Sequence, residues 1–226
     1  MPGVRITTTG RTVPDYGVYL VTDSSLCGER GVVETVLEAV RGGVTLVQLR
    51  EKHADTRPFV ELACALKAAL TPLGVPLLIN DRLDVALACG ADGVHVGQRD
   101  MPCAMVRKLL GPSALIGLSV ETEAQVLAAG SEDVDYLGVS PVFGTPTKTD
   151  TATPWGLAGV QKVRSLSRFP LVAIGGIDVT NAPAVLAAGA DGLAVVSAIC
   201  GQADPGAAAA ALRAVVDIRR TSYAPR

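Results

Sequence analysis

Residues 48–52 read Gln-Leu-Arg-Glu-Lys. In an extended strand alternate side chains share a face, so Gln48, Arg50 and Lys52 project to one side. An amide and two cations converging there suit a polyanionic group; the plainer alternative is a solvated strand end held by salt bridges. Asn80-Asp81-Arg82 and then His95, Gln98, Arg99 and Asp100 close two further apolar runs. Two carboxylates, Asp81 and Asp100, beside that cationic cluster are what Mg²⁺ takes when substrate phosphates and water complete its shell. Asp81 is equally placed to cap the helix that follows, a role that leaves Asp100 unexplained. His95 stays open between a ligand contact and a satisfied core histidine.

A second group of chemistry-bearing residues lies further along. Residues 140–150, SPVFGTPTKTD, form a hydroxyl-rich loop with Lys148 near its tip. Hydroxyls and a lysine can hold successive phosphate oxygens, so the loop reads as a lid or clamp, against the commoner fate of a surface loop. Ile174-Gly175-Gly176-Ile177 and Val196-Ser197-Ala198-Ile199 resemble a backbone phosphate cradle, in which glycines let N–H groups approach an anion; a simple Gly-Gly turn is the alternative. Two anion sites in one mouth imply two phosphorylated small-molecule substrates.

Such residues need a scaffold that gathers them. Short aliphatic runs at 18–22, 45–49, 76–79, 93–96, 115–118, 136–139, 171–174 and 193–196 alternate with amphipathic stretches such as 56–73, 102–110, 121–129, 180–188 and 205–219. Eight βα units of roughly 25–30 residues match a compact TIM (β/α)8 barrel, whose active site sits at the C-terminal ends of its strands. LACGADGVHV at 87–96 and LAAGADGLAV at 186–195 echo each other, as quarter- or half-barrel units would. A doubly wound open sheet is the main rival, disfavoured because no GxGxxG opens the chain and polar residues recur after many strands.

The 226 residues are 49% hydrophobic but only 4% aromatic, which predicts one α/β domain with an Ala, Val, Leu and Ile core. A loose arm over 1–15, a catalytic barrel over 16–220 and a tail over 221–226 are expected. A formal charge of -2 gives no general pull towards nucleic acid or anionic membrane. No apolar stretch reaches the roughly 18–20 residues that span a bilayer, and the first residues lack a signal-peptide pattern. Five scattered cysteines, at 27, 64, 89, 103 and 200, form no CxxC and fit a reducing cytoplasmic setting. Exposed barrel helices are compatible with a homo-oligomer, but no diagnostic patch stands out.

The strings QLREK, IND at 79–81, GVHVGQ-D through Asp100, TPTKTD at 145–150, IGGI and VVSAI occur in the order found in the thiamine phosphate synthases, which the chain resembles from about residue 18 to 216. The resemblance implies that Gln48, Arg50, Lys52 and Asn80 bind a hydroxymethylpyrimidine diphosphate, with Asp81 and Asp100 on Mg²⁺. It places Ser119, after the fifth strand, and Lys148 at the pyrimidine, and Thr145, Thr147, Gly176, Val196 and Ser197 at a thiazole phosphate. Leu49, Glu51 and Pro146, inside the same strings, are counted with the substrate strips. Arg99 departs from the family, which often has an acidic residue there.

Implied with this is a dissociative displacement in which Arg50, Lys52 and Mg²⁺ stabilise departing pyrophosphate, while Ser119 and Lys148 complete the catalytic set. No Ser/His/Asp constellation or activated cysteine is needed. Other readings are a thiazole phosphate tautomerase sharing the monophosphate cradle, a Schiff-base aldolase using Lys148, and a non-catalytic phosphate-metabolite sensor.

Overall fold

The structure, a computed structural model, describes residues 5–6, 12–144 and 153–222. Two short strands, β1 (Arg5–Ile6) and β2 (Thr12–Val13), pair antiparallel ahead of the main body. Eight parallel strands then close into a barrel: β3 (Val18–Val21), β4 (Leu46–Leu49), β5 (Leu77–Asn80), β6 (Gly93–Val96), β7 (Leu115–Val120), β8 (Tyr136–Val139), β9 (Leu171–Ile174) and β10 (Gly192–Val195). Neighbours in sequence pair throughout, and β10 returns to β3. The expected (β/α)8 barrel is therefore the fold.

Helices α1 (Ser24–Cys27), α2 (Gly31–Arg41), α3 (Thr56–Leu70), α4 (Leu83–Cys89), α5 (Cys103–Leu110), α6 (Glu123–Ala128), α7 (Gly156–Leu166), α8 (Ala182–Ala187), α9 (Ser197–Cys200) and α10 (Pro205–Ser222) cover the barrel. Outward strand residues such as Leu20, Val47, Leu49, Ile79, Val94 and Ile116 meet these helices in one large aliphatic core. Inward residues form a smaller core of Tyr16, Tyr19, Val21, Leu46, Leu78, Leu115, Tyr136, Val172 and Ala194. The alternation that sorts the two cores also decides which polar residues reach the mouth.

Boundaries differ from the sequence reading where polar groups bind the backbone. The helix expected at 180–188 starts at Ala182, because Asp178 Oδ1 accepts the Thr180 amide at 2.8 Å and holds a turn there. β7 runs two residues further than expected, pairing Ser119 with Gly138 and Val120 with Val139. Ser119 thus belongs to the strand rather than following it.

At the opposite, N-terminal end one device recurs. Asp92, just before β6, accepts the Leu77 amide of β5 at 2.8 Å and binds Lys67 of α3. Asp135, before β8, takes the Ile116 amide of β7 at 2.8 Å and Arg107 of α5. Asp191, before β10, takes the Leu171 amide of β9 at 2.8 Å and Arg164 of α7. Each carboxylate pins two strands and one helix, so the repeating unit is a pair of βα steps.

Candidate active site

The C-terminal ends of the strands surround a cavity of about 760 Å³, within the range of small-molecule sites. Inward-facing Gln48, Asn80, His95, Ser119, Ile174 and Val196 line it, as strand alternation requires. Arg50, Lys52, Asp81 and Asp100 join them from the loops above, and Gly176 and Ser197 from the far wall. The structure thus gathers these predicted residues into one mouth.

Two members of the expected strip lie elsewhere. Leu49 is fully buried in the core between strands and helices, and Glu51 bonds Ser24. Leu49 is the outward position of β4 next to inward Gln48, and Glu51 lies in the loop that follows, between Arg50 and Lys52. Thr145, Pro146, Thr147 and Lys148 lie outside the described residues.

Lys52 Nζ lies 2.6 Å from Asp81 Oδ2. The alternative role of Asp81 as a helix cap is not what its side chain does, since α4 begins without a side-chain cap. Asp81 also has φ +60°, unusual for a residue other than glycine. Its amide donates to the His95 carbonyl at 2.9 Å, which ties the turn to β6. Asp100 Oδ2 accepts the Gly97 amide at 2.7 Å. Burial raises the pKa of Asp100; the Gly97 amide opposes this, the neighbouring Asp81 carboxylate adds to it, and Lys52 counters it.

Two carboxylates this close, one of them already reluctant to ionise, are the arrangement a divalent cation relieves. Among the described residues no cluster of three or more His, Cys, Asp or Glu side chains could enclose a metal. A hard cation completed by substrate oxygens and water fits this donor set, and a fully protein-enclosed ion does not.

Across the mouth the Gly175-Gly176 turn has a steric cause. A Cβ on Gly175 would stand 2.7 Å from Pro141 Cβ, and one on Gly176 would stand 2.8 Å from the Gly144 carbonyl. The root of the hydroxyl-rich loop is laced there, with the Val142 amide on the Ile174 carbonyl at 2.8 Å and the Phe143 amide on that of Gly175 at 3.0 Å. The glycines therefore seat the loop root against the wall that Val196 and Ser197 complete.

Sequence reasoning missed the floor. Tyr19 and Tyr136 lie beneath the cavity with His95 between Tyr136 and Ser119. Period-two alternation does place Tyr19 inward, but buried tyrosine reads as core until its hydroxyl partners are known. Gln98, Arg99, Glu121, Gln125 and Asp178 also line the rim without having been assigned to substrate.

The profile of the family described as Thiamine monophosphate synthase matches residues 18–199. A thiamine-phosphate synthase of Albidiferax ferrireducens is 59% identical over 200 residues, covering 88% of this chain and 91% of the relative. One of Vibrio parahaemolyticus is 51% identical over 202 residues, covering 89% and 98%. Among solved structures, a thiamine phosphate pyrophosphorylase from Pyrococcus furiosus superposes with a TM-score of 0.83 at 38% identity, covering 91% of this chain and 97% of that one. A 3-hexulose-6-phosphate synthase, with TM-score 0.62 at 17% identity over 88% of this chain and 99% of that one, shares the barrel alone. With the barrel, its polar mouth and these likenesses together, the chain belongs to the thiamine monophosphate synthase family.

Proposed function

We propose that this protein is a transferase of thiamine biosynthesis that joins a hydroxymethylpyrimidine diphosphate to a thiazole phosphate, releasing pyrophosphate and thiamine phosphate. The observation that carries the reading is the convergence of Arg50, Lys52, Asn80, Asp81 and Asp100 at one side of a mouth whose other side is the Gly176, Val196 and Ser197 wall. It provides for two anions without placing a protein nucleophile between them.

Arg50 and Lys52 bind the diphosphate and stabilise the charge that grows on it as its bond to the pyrimidine methylene breaks. Asp81 and Asp100 would hold Mg²⁺, which supplies electrostatic stabilisation of the leaving pyrophosphate when bound. The electron pair of the broken C–O bond leaves with pyrophosphate, and the thiazole nitrogen lone pair forms the new C–N bond, so no net proton transfer is required. Gln48, Asn80 and Ser119 orient the pyrimidine. Gly176, Val196 and Ser197, with Thr145 and Thr147 of the loop, hold the thiazole phosphate, and Lys148 binds the pyrimidine substrate. Lining the site with the apolar Ile174 and Val196 limits water that would otherwise intercept a cationic methylene.

Purified protein given both substrates and Mg²⁺ is expected to release thiamine phosphate and pyrophosphate in equal amounts, and EDTA to stop it. Folded protein that makes neither product overturns the reading; isomerisation of a thiazole phosphate supplied alone would instead point to the tautomerase.

A further inference from the structure

The floor of the mouth holds an uninterrupted chain of five polar side chains. Gln48 Nε2 donates to the Tyr19 hydroxyl at 2.7 Å, and the Tyr19 and Tyr136 hydroxyls are 2.9 Å apart. The Tyr136 hydroxyl is 2.8 Å from His95 Nδ1, and His95 Nε2 is 2.8 Å from Ser119 Oγ. The chain passes through β4, β3, β8, β6 and β7, and so crosses the barrel. Glycines make room for it: a Cβ on Gly117 would lie 2.2 Å from the Tyr136 ring and 2.4 Å from His95 Nδ1, and one on Gly138 would lie 2.9 Å from the imidazole. Burial pushes both tyrosine hydroxyls well above the ordinary phenol range, so each keeps its one hydrogen.

That single hydrogen gives the chain a direction. Tyr19 accepts from Gln48, so its own hydrogen goes to Tyr136. Tyr136 then has its hydrogen for His95 Nδ1, which must be the unprotonated nitrogen of a neutral ring. The ring hydrogen sits on Nε2 and is given to Ser119 Oγ. Ser119, which lines the cavity, is left with its hydroxyl hydrogen for whatever enters.

We infer that Tyr136, backed by Tyr19, is a positioning residue that locks His95 in its Nε2–H tautomer and thereby presents Ser119 to the substrate as a hydrogen-bond donor. Ser119 then selects an acceptor atom, such as an unprotonated pyrimidine ring nitrogen, over an N–H. The substrate half of this inference rests on the synthase reading; the tautomer half does not. If the Gln48 amide were turned over, every bond in the chain would reverse, His95 would carry its hydrogen on Nδ1 and Ser119 would only accept. The tautomer therefore reports the direction.

The sequence has two histidines, and His53 is exposed in the loop after β4, so His53→Gln leaves one imidazole to observe. Long-range ¹H–¹⁵N spectra of that protein without substrates, at about pH 8 where an ordinary imidazole is neutral, are expected to show Nε2 protonated and Nδ1 bare. Tyr136→Phe in the same background is expected to give mixed tautomers, and kcat/KM for the pyrimidine diphosphate is expected to fall roughly tenfold to hundredfold. An Nδ1–H tautomer in the parent overturns the inference, as does a Tyr136→Phe protein that keeps both the single Nε2–H tautomer and parental kcat/KM. The parent spectrum decides the matter even where Tyr136→Phe does not fold. Because it needs no turnover, it also separates failure of the chain's direction from failure of the synthase reading, which shows as a parent that makes no product.

Discussion

Asp81 illustrates how much of the site is carried by single residues against local preference. A non-glycine residue at φ +60° costs on the order of 1–3 kcal/mol, and Asp tolerates that region better than most. Here the conformation brings the carboxylate to Lys52 and beside Asp100. Asp81→Gly removes the strain along with the carboxylate and adds the backbone entropy of glycine, so its stability is expected within about 1 kcal/mol of the parent. Turnover is expected to fall by roughly a hundredfold or more. Urea denaturation beside a steady-state assay checks both; a clear loss of stability with activity kept would reverse the assignment. Lys52→Ala should raise KM for the diphosphate and lower kcat together if the lysine has the proposed role on ground state and developing charge alike; unchanged values of both would leave it merely an ion-pair partner. The types and spacings of Gln48, Arg50, Lys52, Asp81 and Asp100 made them readable from the chain. The Tyr19–Tyr136 floor was not readable, because its meaning lies in contacts between residues 117 positions apart.

At the scale of elements, the echo between residues 87–96 and 186–195 has a physical content. Both copies carry the aspartate, Asp92 or Asp191, that pins a neighbouring strand amide and a helix cation. Asp135 is a third copy whose surrounding sequence has drifted, so the echo alone missed it. The Asp135 and Arg107 side chains are 7% and 10% exposed, whereas Asp191 and Arg164 are 48% and 32% exposed. Asp135→Ala takes a buried carboxylate from a guanidinium that keeps Asp133 and the Ala114 carbonyl, and with the lost strand-amide bond is expected to cost roughly 2–4 kcal/mol. Asp191→Ala leaves a more exposed arginine that keeps the Ser167 and Phe169 carbonyls, and should cost about 1–2 kcal/mol. Chemical denaturation of the two variants checks the order; equal losses would mean that the strand amide, not the cation, dominates the pin. Neither change is expected to alter KM, because these pins sit at the N-terminal face, away from the mouth. Strand positions followed from apolar runs, but strand ends shifted by one or two residues, as in β7, where pairing with β8 carries the ladder on through Ser119 and Val120.

Over the whole molecule, barrel closure joins β3 to β10, and the last helix, α10, seals the junction from outside. Asp15, before β3, accepts Arg213 Nη1 at 3.0 Å and the Gly17 amide at 2.8 Å, and also bonds Arg220. Burial alone would raise its pKa, but Arg220, the Gly17 amide and Arg213 together outweigh burial and hold the carboxyl far below the ordinary range. A group depressed on folding contributes stability that is present above its unfolded pKa, about 3.9 for Asp, and is lost as pH falls towards the folded value. The parent should thus lose about 0.5–1 kcal/mol more than Asp15→Asn between about pH 5 and pH 3, after allowance for solvent screening. Parallel stability curves for the two proteins across that window would contradict the assignment. The barrel itself was legible from eight evenly spaced apolar runs, whereas the clasp that closes it unites residues 198 and 205 positions apart and left no local signature. On the proposed function two anions meet in one mouth, where Asp81 and Asp100 would hold a divalent cation. Crystals grown with Mn²⁺ and pyrophosphate test it most directly: an anomalous peak within coordination distance of both carboxylates, with pyrophosphate against Arg50 and Lys52, is the predicted result, and ordered pyrophosphate with the metal bound away from both aspartates would contradict it.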